Sequence, residues 1–526
     1  MSLPGPTINP YDELPFPSQP LPQSHPDRLA AIGRLFGMQP PPVERCRVLE
    51  LGCATGGNLI PMAEALDDSR FVGIDYSQAQ VLAAQHSAAA LKLENLELRC
   101  ADIGDLGDEL GSFDYIICHG VFAWVPPALQ DKILSICQRS LTPQGIAYIS
   151  YNTYPGWHLR SVVREVLSEH ALGASAKDRL ARGKAVLEFL AAAMEQEQTP
   201  YARLMKDDIK LVLAQPDAYV YHEYMEADNN PLYLHEFVER VADFGLGYLG
   251  DAAPATMFAS NFGPTIERQL MQIANDVVGV EQHLDLLRNR GFRQTLLCRK
   301  EVPLTRKLEP ERLQSLYLRG YLKTEKLMVN LKSTEPERFN KTQGLGISTP
   351  SPPLKAALMH LSQRWPRACS LDELTEAAGR LLGDEGAPRE LSHADRVNLG
   401  HNLVQCLASG LVDALASPDR FTTALTEKPR ASRLARFQAG RMKKVTNCCH
   451  ELIELDDAAR NVLQYLDGQH DRAALVRELT EAVDRGDVSI LVEGLPATRG
   501  AAVASALENT LDASLKNLAR MACLVA

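Results

Sequence analysis

Hydrophobic positions between residues 43 and 151 fall into short apolar runs, separated by segments with the three-to-four-residue spacing of amphipathic helices. This alternation is typical of a parallel sheet that is covered by helices on both faces. Ligands of such sheets bind beyond the carboxyl ends of the strands. The residues that follow each apolar run are therefore the candidates for ligand binding. The predicted strands are residues 47–51, 71–74, 96–100, 115–118 and 146–150, and the predicted helices are residues 27–36, 58–66, 79–91 and 127–141.

The pattern changes after the fifth run. Residues 159–194 and 201–213 have helical periodicity with no strand between them, which predicts a helical insertion at about 158–232. The alternation then resumes, with further strands predicted at 248–251 and 292–298. Because the insertion interrupts the sheet, we expect it to overhang the crevice at the carboxyl edge and to recognise a substrate; a purely structural cap is the alternative.

Downstream of residue 301 the pattern is mainly helical. A proline-rich junction at 349–353 precedes three predicted helices and two predicted strands, the order of a winged-helix-like unit. A second unit of this kind follows, and the last helix is predicted at 501–521. The helices of the first unit are predicted at 354–364, 370–382 and 394–410, and its strands at 411–415 and 420–424.

The predicted fold is α/β: a Rossmann-like sheet with a helical insertion, followed by mainly helical, winged-helix-like C-terminal domains. We divide the chain into an N-terminal arm and lid (1–36), a core with its insertion (37–301), a middle winged-helix-like domain (302–430) and a C-terminal helical domain (431–526).

The turn after the first strand is built from small residues at 52–57 and opens the next helix. Glycines in such a turn let the backbone approach a ligand closely. Asp75 ends the second strand about 20 residues later, where a carboxylate can accept both hydroxyls of a ribose. Together, the turn and the carboxylate predict a site for a nucleoside-containing cofactor.

Two classes of cofactor fit these residues. In the first, Gly52, Ala54 and Gly57 form a variant of the dinucleotide fingerprint, with a pyrophosphate at the helix N-terminus. The second is S-adenosylmethionine, which has no phosphate and carries an ammonium group. Glu50 would repel a pyrophosphate but suits that ammonium, and Asp102 at the end of the third strand can accept the adenine amino group. We therefore favour S-adenosylmethionine.

The cofactor-binding prediction covers the tips of the first four strands. Its members are Glu50, Gly52, Ala54, Gly56, Asn58, Asp75, Tyr76, Asp102, Ile103, His119 and Gly120.

The run Glu-Leu-Gly-Cys-Ala-Thr-Gly at 50–56, followed by Asp75 and by segments 101–103 and 113–120, resembles the ordered motifs of class I methyltransferases. At Ala54 many members of that class carry glycine, a mild departure. More specifically, most of the chain resembles the bacterial protein-lysine methyltransferases of the rickettsial outer-membrane-protein type. This resemblance implies a methyltransferase regulatory domain after the catalytic core. The segments that carry it are 11–15, 23–29, 118–126, 151–157 and 292–298.

Methyl transfer from a sulfonium is an in-line displacement, so positioning of the acceptor does most of the work. A lysine acceptor must first lose its proton, and an apolar, aromatic channel beside a positive charge lowers its pKa. We predict five catalytic residues. His119 could accept the proton, although the resemblance implies backbone contacts near the sulfonium. Asn152 could orient the amine, and Tyr11 could close the site from the arm, while Tyr154 and Trp157 could line the channel.

Further aromatic residues follow the fourth and fifth strands, and we expect Phe122, Trp124 and Tyr151 to open onto the same edge; core packing is an equal alternative for Trp124. Tyrosines and acids at 219–228 suit a lysine side chain, or else form a surface loop. His222 and His235 are too far apart in sequence for a convincing metal motif, so we predict no metal.

Composition narrows the function classes. The chain has 526 residues, a net charge of −11 and a pI near 5.7, so nucleic acid is an unlikely main partner. We interpret the basic run at 428–444 as a solvated linker. Eleven cysteines without a paired C-x-x-C array suit a reduced, cytoplasmic compartment. No stretch is long enough for membrane insertion, and homo-oligomer formation is compatible with the sequence.

We thus expect methyl transfer to lysine side chains of a protein substrate. The alternatives are a small-molecule methyltransferase, which needs a closed pocket, and a regulator that binds the cofactor and contacts nucleic acid through its winged-helix-like domains.

Overall fold

The computed structural model describes residues 14–170, 175–342, 344–384, 387, 389–489, 491–492, 495–496 and 501–525. Tyr11 lies outside the described residues.

A seven-stranded sheet forms the centre of the molecule, in the order β3-β2-β1-β4-β5-β7-β6. The first five strands are parallel, as predicted, whereas β7 pairs antiparallel with both of its neighbours. The strands are β1 (Arg47–Leu51), β2 (Arg70–Asp75), β3 (Leu96–Cys100), β4 (Phe113–Cys118), β5 (Leu141–Asn152), β6 (Leu246–Asp251) and β7 (Phe292–Arg299).

Helices connect the parallel strands as the periodicity predicts. They are α1 (Pro26–Leu35) before the sheet, then α2 (Leu59–Ala65), α3 (Gln78–Ala90) and α4 (Pro127–Ser140). The fully buried side chains of β1 alternate between the two faces of the sheet, because successive residues of a strand point to opposite sides. Val48 packs in the cluster that contains α1 and α2, whereas Leu49 and Leu51 pack in the cluster that contains α4.

In its described residues the insertion has four helices with an apolar core of their own. They are α5 (Gly156–Glu169), α6 (Ala176–Met194), α7 (Pro200–Leu213) and α8 (Asp217–Tyr224). The helical periodicity predicted at 159–194 corresponds to two helices, α5 and α6, which pack against each other. The insertion is anchored at the carboxyl edge of the sheet. Where the chain returns to the sheet after the insertion, Leu232 N–H donates to Asn152 O at 3.1 Å.

The chain then adds α9 (Leu234–Asp243), β6, α10 (Pro264–Ile273), α11 (Val277–Arg288) and β7. The middle region follows with β8 (Tyr317–Arg319), β9 (Lys323–Thr324), β10 (Glu337–Thr342), β11 (Leu345–Thr349), α12 (Pro352–Arg364), β12 (Cys369–Ser370), α13 (Leu371–Leu382), α14 (His393–Ala408) and β13 (Asp413–Leu415). The three helices α12, α13 and α14 of this region agree with the helices predicted at 354–364, 370–382 and 394–410.

The strand predicted at 420–424 is absent from the described residues of the middle region. The backbone there bonds to the end of the chain, where Thr422 N–H donates to Leu524 O at 3.0 Å. The middle region also packs directly on the sheet, because residues such as Leu318 and Leu358 share one continuous apolar core with Ile146.

The C-terminal unit has a separate apolar core. Its elements are α15 (Arg433–Ala439), β14 (Lys444–Thr446), β15 (Leu452–Glu454), α16 (Asp457–Gln464), α17 (Arg472–Arg485), β16 (Leu491–Val492), β17 (Leu495–Pro496) and α18 (Ala501–Arg520). The basic run at 428–444 is therefore not a solvated linker, since α15 lies within it and Leu434 packs on Ile60 of α2 and on Leu91 at the end of α3.

A buried ionic network connects β7 to α11 and β6. The guanidinium of Arg293 is fully buried and donates to the two carboxylate oxygens of Asp285 at 2.6 and 3.0 Å. It also lies 3.4 Å from Glu281 Oε2 and 3.6 Å from Asp251 Oδ2. A buried ion network of this kind stabilises the fold only while every charge keeps its partner.

Replacement of Arg293 tests this network. Because Arg293→Met leaves buried carboxylates without a counter-charge, we expect it to lower the free energy of unfolding by about 3–5 kcal/mol. Urea unfolding followed by circular dichroism measures the change. The matched control is Arg485→Met, which removes an exposed pair with Asp487 and should leave the unfolding midpoint unchanged. Equal midpoints for both variants would contradict a structural role for the network.

Candidate active site

The small-residue turn after β1 adopts backbone conformations that favour glycine. Gly52 and Gly56 have φ values of 81° and 75°, and a Cβ atom on Gly52 would lie 2.4 Å from Val121 Cγ2. Ala54 also has a positive φ, 48°, in the left-handed region where an alanine is mildly strained. This conformation explains why glycine would suit position 54.

Asp75, at the end of β2, holds the turn in place. Its Oδ2 accepts the N–H of Ala54 at 2.8 Å, and its Oδ1 accepts the N–H of Ser77 at 2.9 Å. A carboxylate oxygen can accept more than one hydrogen bond, so the same group can hold the turn and accept ribose hydroxyls. Tyr76 follows at once with 69% of its surface exposed, beside the position where a nucleoside would lie.

Glu50 is buried at the end of β1, with 3% of its surface exposed. Its Oε1 accepts the Asn58 Nδ2 proton at 2.7 Å, while its Oε2 is buried and has no hydrogen-bond partner among the residues that the structure describes. Burial raises the pKa of this carboxyl to about 7, although the bond from Asn58 opposes the shift. An unpartnered buried carboxylate oxygen beside the turn fits the ammonium group of S-adenosylmethionine.

Asp102 lies at the end of β3 and is exposed. Its Oδ1 accepts the N–H of Gly104 at 2.7 Å and so caps the short 3₁₀ turn Ile103–Asp105. The carboxylates predicted to bind the cofactor therefore lie at the carboxyl ends of three adjacent parallel strands, β1, β2 and β3, at one edge of the sheet. This arrangement fits a ligand that carries an ammonium, a ribose and an adenine.

His119 follows β4 and contacts two aromatic rings. Its Nδ1 lies 2.9 Å from the Tyr148 hydroxyl, and its ring centroid lies 5.7 Å from that of Phe292. Burial lowers the pKa of His119 to about 4, so the imidazole is neutral at neutral pH. The next residue, Gly120, donates its N–H to Ser150 Oγ at 2.8 Å and has open space where a side chain would stand.

Two of the predicted catalytic residues lie where β5 passes into the insertion. The side chain of Asn152 is buried and donates through Nδ2 to Asn229 Oδ1 at 2.9 Å. The ring of Tyr154 stacks on His158 with centroids 4.2 Å apart, and Tyr233 completes this cluster at 5.2 Å from Tyr154. Tyr154 thus belongs to a partly exposed aromatic group at the carboxyl edge.

Trp157 is fully buried, and its indole N–H has no hydrogen-bond partner within the described ranges. Its ring lies 6.0 Å from that of Trp124 and 5.9 Å from that of Tyr224, so it joins the tip of β4 to the insertion. The prediction that Phe122 and Tyr151 open onto the carboxyl edge of the sheet was wrong. Both are buried in the sheet core, where Tyr151 stacks on Phe237 at 4.2 Å.

The described part of the N-terminal arm connects the insertion to the glycine turn. At one end, His222 Nε2 donates to Leu14 O at 2.6 Å. Further along, Ser18 Oγ accepts the N–H of Gly57 at 2.8 Å, and a Cβ atom on Gly57 would lie only 2.4 Å from the Ser18 carbonyl carbon. The arm therefore lies directly on the turn.

The segment at 219–228 is mostly helix α8 and its end, not a loop. Glu223 is half-buried, and burial raises its pKa to about 7 while nearby Arg160 opposes the shift. His222 bonds to Glu226 through Nδ1 at 2.7 Å. Among the residues that the structure describes, no group of three His, Cys, Asp or Glu side chains could hold a metal ion, and no helix is long and apolar enough to cross a membrane.

The structure also adds residues that sequence reasoning missed. Tyr148 is the hydrogen-bond partner of His119, and Phe292 packs against the same ring. Ser18 lies on the glycine turn, and His450 of the C-terminal unit lies 2.7 Å from Asn58 Oδ1. Phe292 opens a segment that carried the family resemblance, which was a usable signal. No local pattern marks the other three.

Comparison with family models divides the chain into three regions. A methyltransferase domain model matches residues 42–226, and a predicted methyltransferase regulatory domain model matches residues 216–299. The C-terminal winged helix domain of PKMT matches residues 427–523. The regulatory region contains β6 and β7, so it completes the seven-stranded sheet and does not follow it.

Two relatives match almost the whole chain. The uncharacterized protein RP789 of Rickettsia prowazekii is 33% identical over 525 residues, which cover 98% of this chain and 94% of the relative. The solved structure of PKMT2 from Rickettsia typhi is 30% identical, with a TM-score of 0.87, and covers 97% of this chain and 100% of its own. PKMT2 has also been solved in complex with AdoHcy, and this chain matches that structure equally well.

The geometry of the turn and its carboxylates, the family models and these full-length matches agree on the cofactor, S-adenosylmethionine. The chain belongs to the family of class I S-adenosylmethionine-dependent methyltransferases that includes PKMT2 of Rickettsia typhi.

Proposed function

We propose that this methyltransferase modifies lysine side chains of a protein substrate by in-line displacement. The observation that carries the proposal is the partly exposed cluster of aromatic rings at the tip of β5, formed by Tyr154, His158 and Tyr233, which suits a cationic side chain. The name of the relative PKMT2 and the match to the PKMT winged helix domain support the same acceptor.

The residues at the tips of the first three strands are suited to hold the methyl donor. When bound, S-adenosylmethionine supplies an electrophilic methyl group. Glu50 Oε2 would accept from the amino-acid ammonium, Asp75 would accept ribose hydroxyls, and Asp102 would accept the adenine amino group. The positive-φ turn at Gly52 and Gly56 lets the backbone approach this ligand without side-chain interference.

Residues at the tips of β4 and β5 are suited to receive the lysine. A lysine ammonium must lose its proton before it can act as a nucleophile, and burial beside the positive charge of the cofactor lowers the pKa of the amine. Burial also lowers the pKa of His119 to about 4, so its neutral ring can accept a hydrogen bond from the amine. The Tyr148 hydroxyl fixes the orientation of the imidazole ring. The cluster of Tyr154, His158 and Tyr233 offers aromatic faces to the cationic side chain.

Removal of the Asp75 carboxylate tests the ribose assignment. We expect Asp75→Ala to weaken AdoHcy binding roughly a hundredfold or more, because charge-assisted hydrogen bonds to the ribose are lost. Isothermal titration calorimetry measures the affinity, and thermal unfolding checks that the variant folds. Asp68→Ala, which changes an exposed carboxylate after α2, is the control and should bind normally. Unchanged affinity in Asp75→Ala would refute the assignment.

The raised pKa of Glu50 predicts a pH dependence of binding. The ligand ammonium pairs with the ionised carboxylate, which is the minor form below the pKa of about 7. AdoHcy affinity should therefore rise as the pH increases from 6 to 8. The analogue 5′-methylthioadenosine has no amino-acid part, so its affinity should change little. Glu50→Gln should remove the pH dependence for AdoHcy, and a pH dependence that persists in this variant would assign it to another group.

The acceptor is tested with radiolabelled S-adenosylmethionine, incubated with the protein and three separate fractions: proteins, RNA and small molecules. We expect label in protein that survives acid hydrolysis as methyllysine, because that product carries a stable carbon–nitrogen bond. Asp75→Ala is the control and should transfer no label. Label only in RNA or in small molecules would overturn the lysine proposal while leaving the cofactor assignment intact.

A further inference from the structure

His450 reaches the cofactor turn from the C-terminal unit. Its Nε2 lies 2.7 Å from Asn58 Oδ1, a residue 392 positions earlier in the chain. Both side chains are buried, and the His450 ring also packs against His25 with centroids 5.1 Å apart. Burial lowers the pKa of His450 to about 3, so the ring is neutral at neutral pH and carries a single N–H.

The partners of Asn58 determine the orientation of its amide. The Nδ2 group donates to Glu50 Oε1 at 2.7 Å and to Ser24 Oγ at 3.0 Å. On the other side, Oδ1 accepts the Leu21 N–H at 2.9 Å. Because Oδ1 can only accept, the neutral His450 must present its proton at Nε2. The hydrogen bonds therefore run in one direction, from His450 to Asn58 and from Asn58 to Glu50.

Other contacts hold the C-terminal unit in this position. Glu64 of α2 accepts backbone N–H groups of Arg433 and Leu434 at the start of α15. Leu434 also packs on Ile60 and Leu91. These contacts do not involve His450, so a change of His450 should leave the unit attached to the catalytic part.

We propose that His450 is a positioning residue for the methyl donor. By donating to Asn58 Oδ1, it holds Asn58 Nδ2 on Glu50 Oε1, so that Glu50 Oε2 remains available to the ammonium of the ligand. The inference rests on the role proposed above for Glu50. It makes the PKMT winged-helix region part of the cofactor site, because one of its side chains controls the binding carboxylate.

The test compares two ligands that differ in the amino-acid part. AdoHcy carries the ammonium that Glu50 would bind, and 5′-methylthioadenosine does not. We expect His450→Phe to weaken AdoHcy binding roughly tenfold, because a hydrogen bond to a group that orients a buried carboxylate is lost. The affinity for 5′-methylthioadenosine should stay within twofold of the unchanged protein. His450→Gln keeps an N–H donor and should restore most of the AdoHcy affinity.

The matched control is His470→Phe in the same unit, where the histidine bonds to Asp467 at 2.9 Å and has no contact with Asn58. This variant should bind both ligands normally. Calorimetry gives the affinities of the full-length proteins, and thermal unfolding confirms that each variant folds.

Two results would overturn the inference: unchanged AdoHcy affinity in His450→Phe, or an equal loss for both ligands, which would indicate a general disturbance of the site. Glu50→Gln separates this failure from that of the proposed function. If Glu50→Gln weakens AdoHcy selectively but His450→Phe does not, only the role of His450 is wrong. If Glu50→Gln has no effect, the assignment of Glu50 itself is wrong.

Discussion

The site is organised around a carboxylate that is buried at the end of the first strand. Removing Glu50 from water costs free energy. The bond from Asn58 to Oε1 offsets part of that cost, whereas no described residue bonds to Oε2. Asn58 can keep its Nδ2 group on Glu50 only if its own carbonyl oxygen accepts hydrogen bonds from the opposite side. That requirement brings a backbone N–H of the N-terminal arm and the imidazole of His450 to the same amide. One buried charge thus explains why distant parts of the chain converge on the turn.

The same edge of the sheet also gathers the acceptor side of the site. The insertion leaves and rejoins the sheet beside Asn152, and Phe292 enters β7 next to His119. The antiparallel β7 can bring Phe292 there because its first residue lies at the edge where the parallel strands end. The buried network of Arg293 stabilises this corner, so the position of the Phe292 ring depends on ion pairs that lie behind it.

Much of the sheet could be predicted from periodicity. The bounds of β1 and β3 were predicted correctly, because β1 ends where the small-residue turn begins and β3 ends just before Ala101 and Asp102. The strand β5 is longer than its apolar run, because neighbours on both sides supply hydrogen bonds beyond it. Helix α8 was missed because it is short, and it is stabilised by packing of residues such as Val220 and Tyr224 in the core of the insertion. Phe122 and Tyr151 were expected to open onto the carboxyl edge of the sheet, but both point into its core. The direction of a side chain near a strand end depends on local twist and packing.

The sequence by itself determined the alternation of strands and helices, the small-residue turn and the acidic residues that end the first three strands. These are local properties: a glycine, a strand end and a carboxylate are separated by few residues, and their spacing follows from the repeat of the βα unit. The tertiary structure alone decided that Tyr148 bonds to His119, that Ser18 covers Gly57 and that His450 reaches Asn58. Such contacts join residues that are far apart in the chain, and their energy depends on burial and on the exact direction of each donor, which the order of the amino acids does not display.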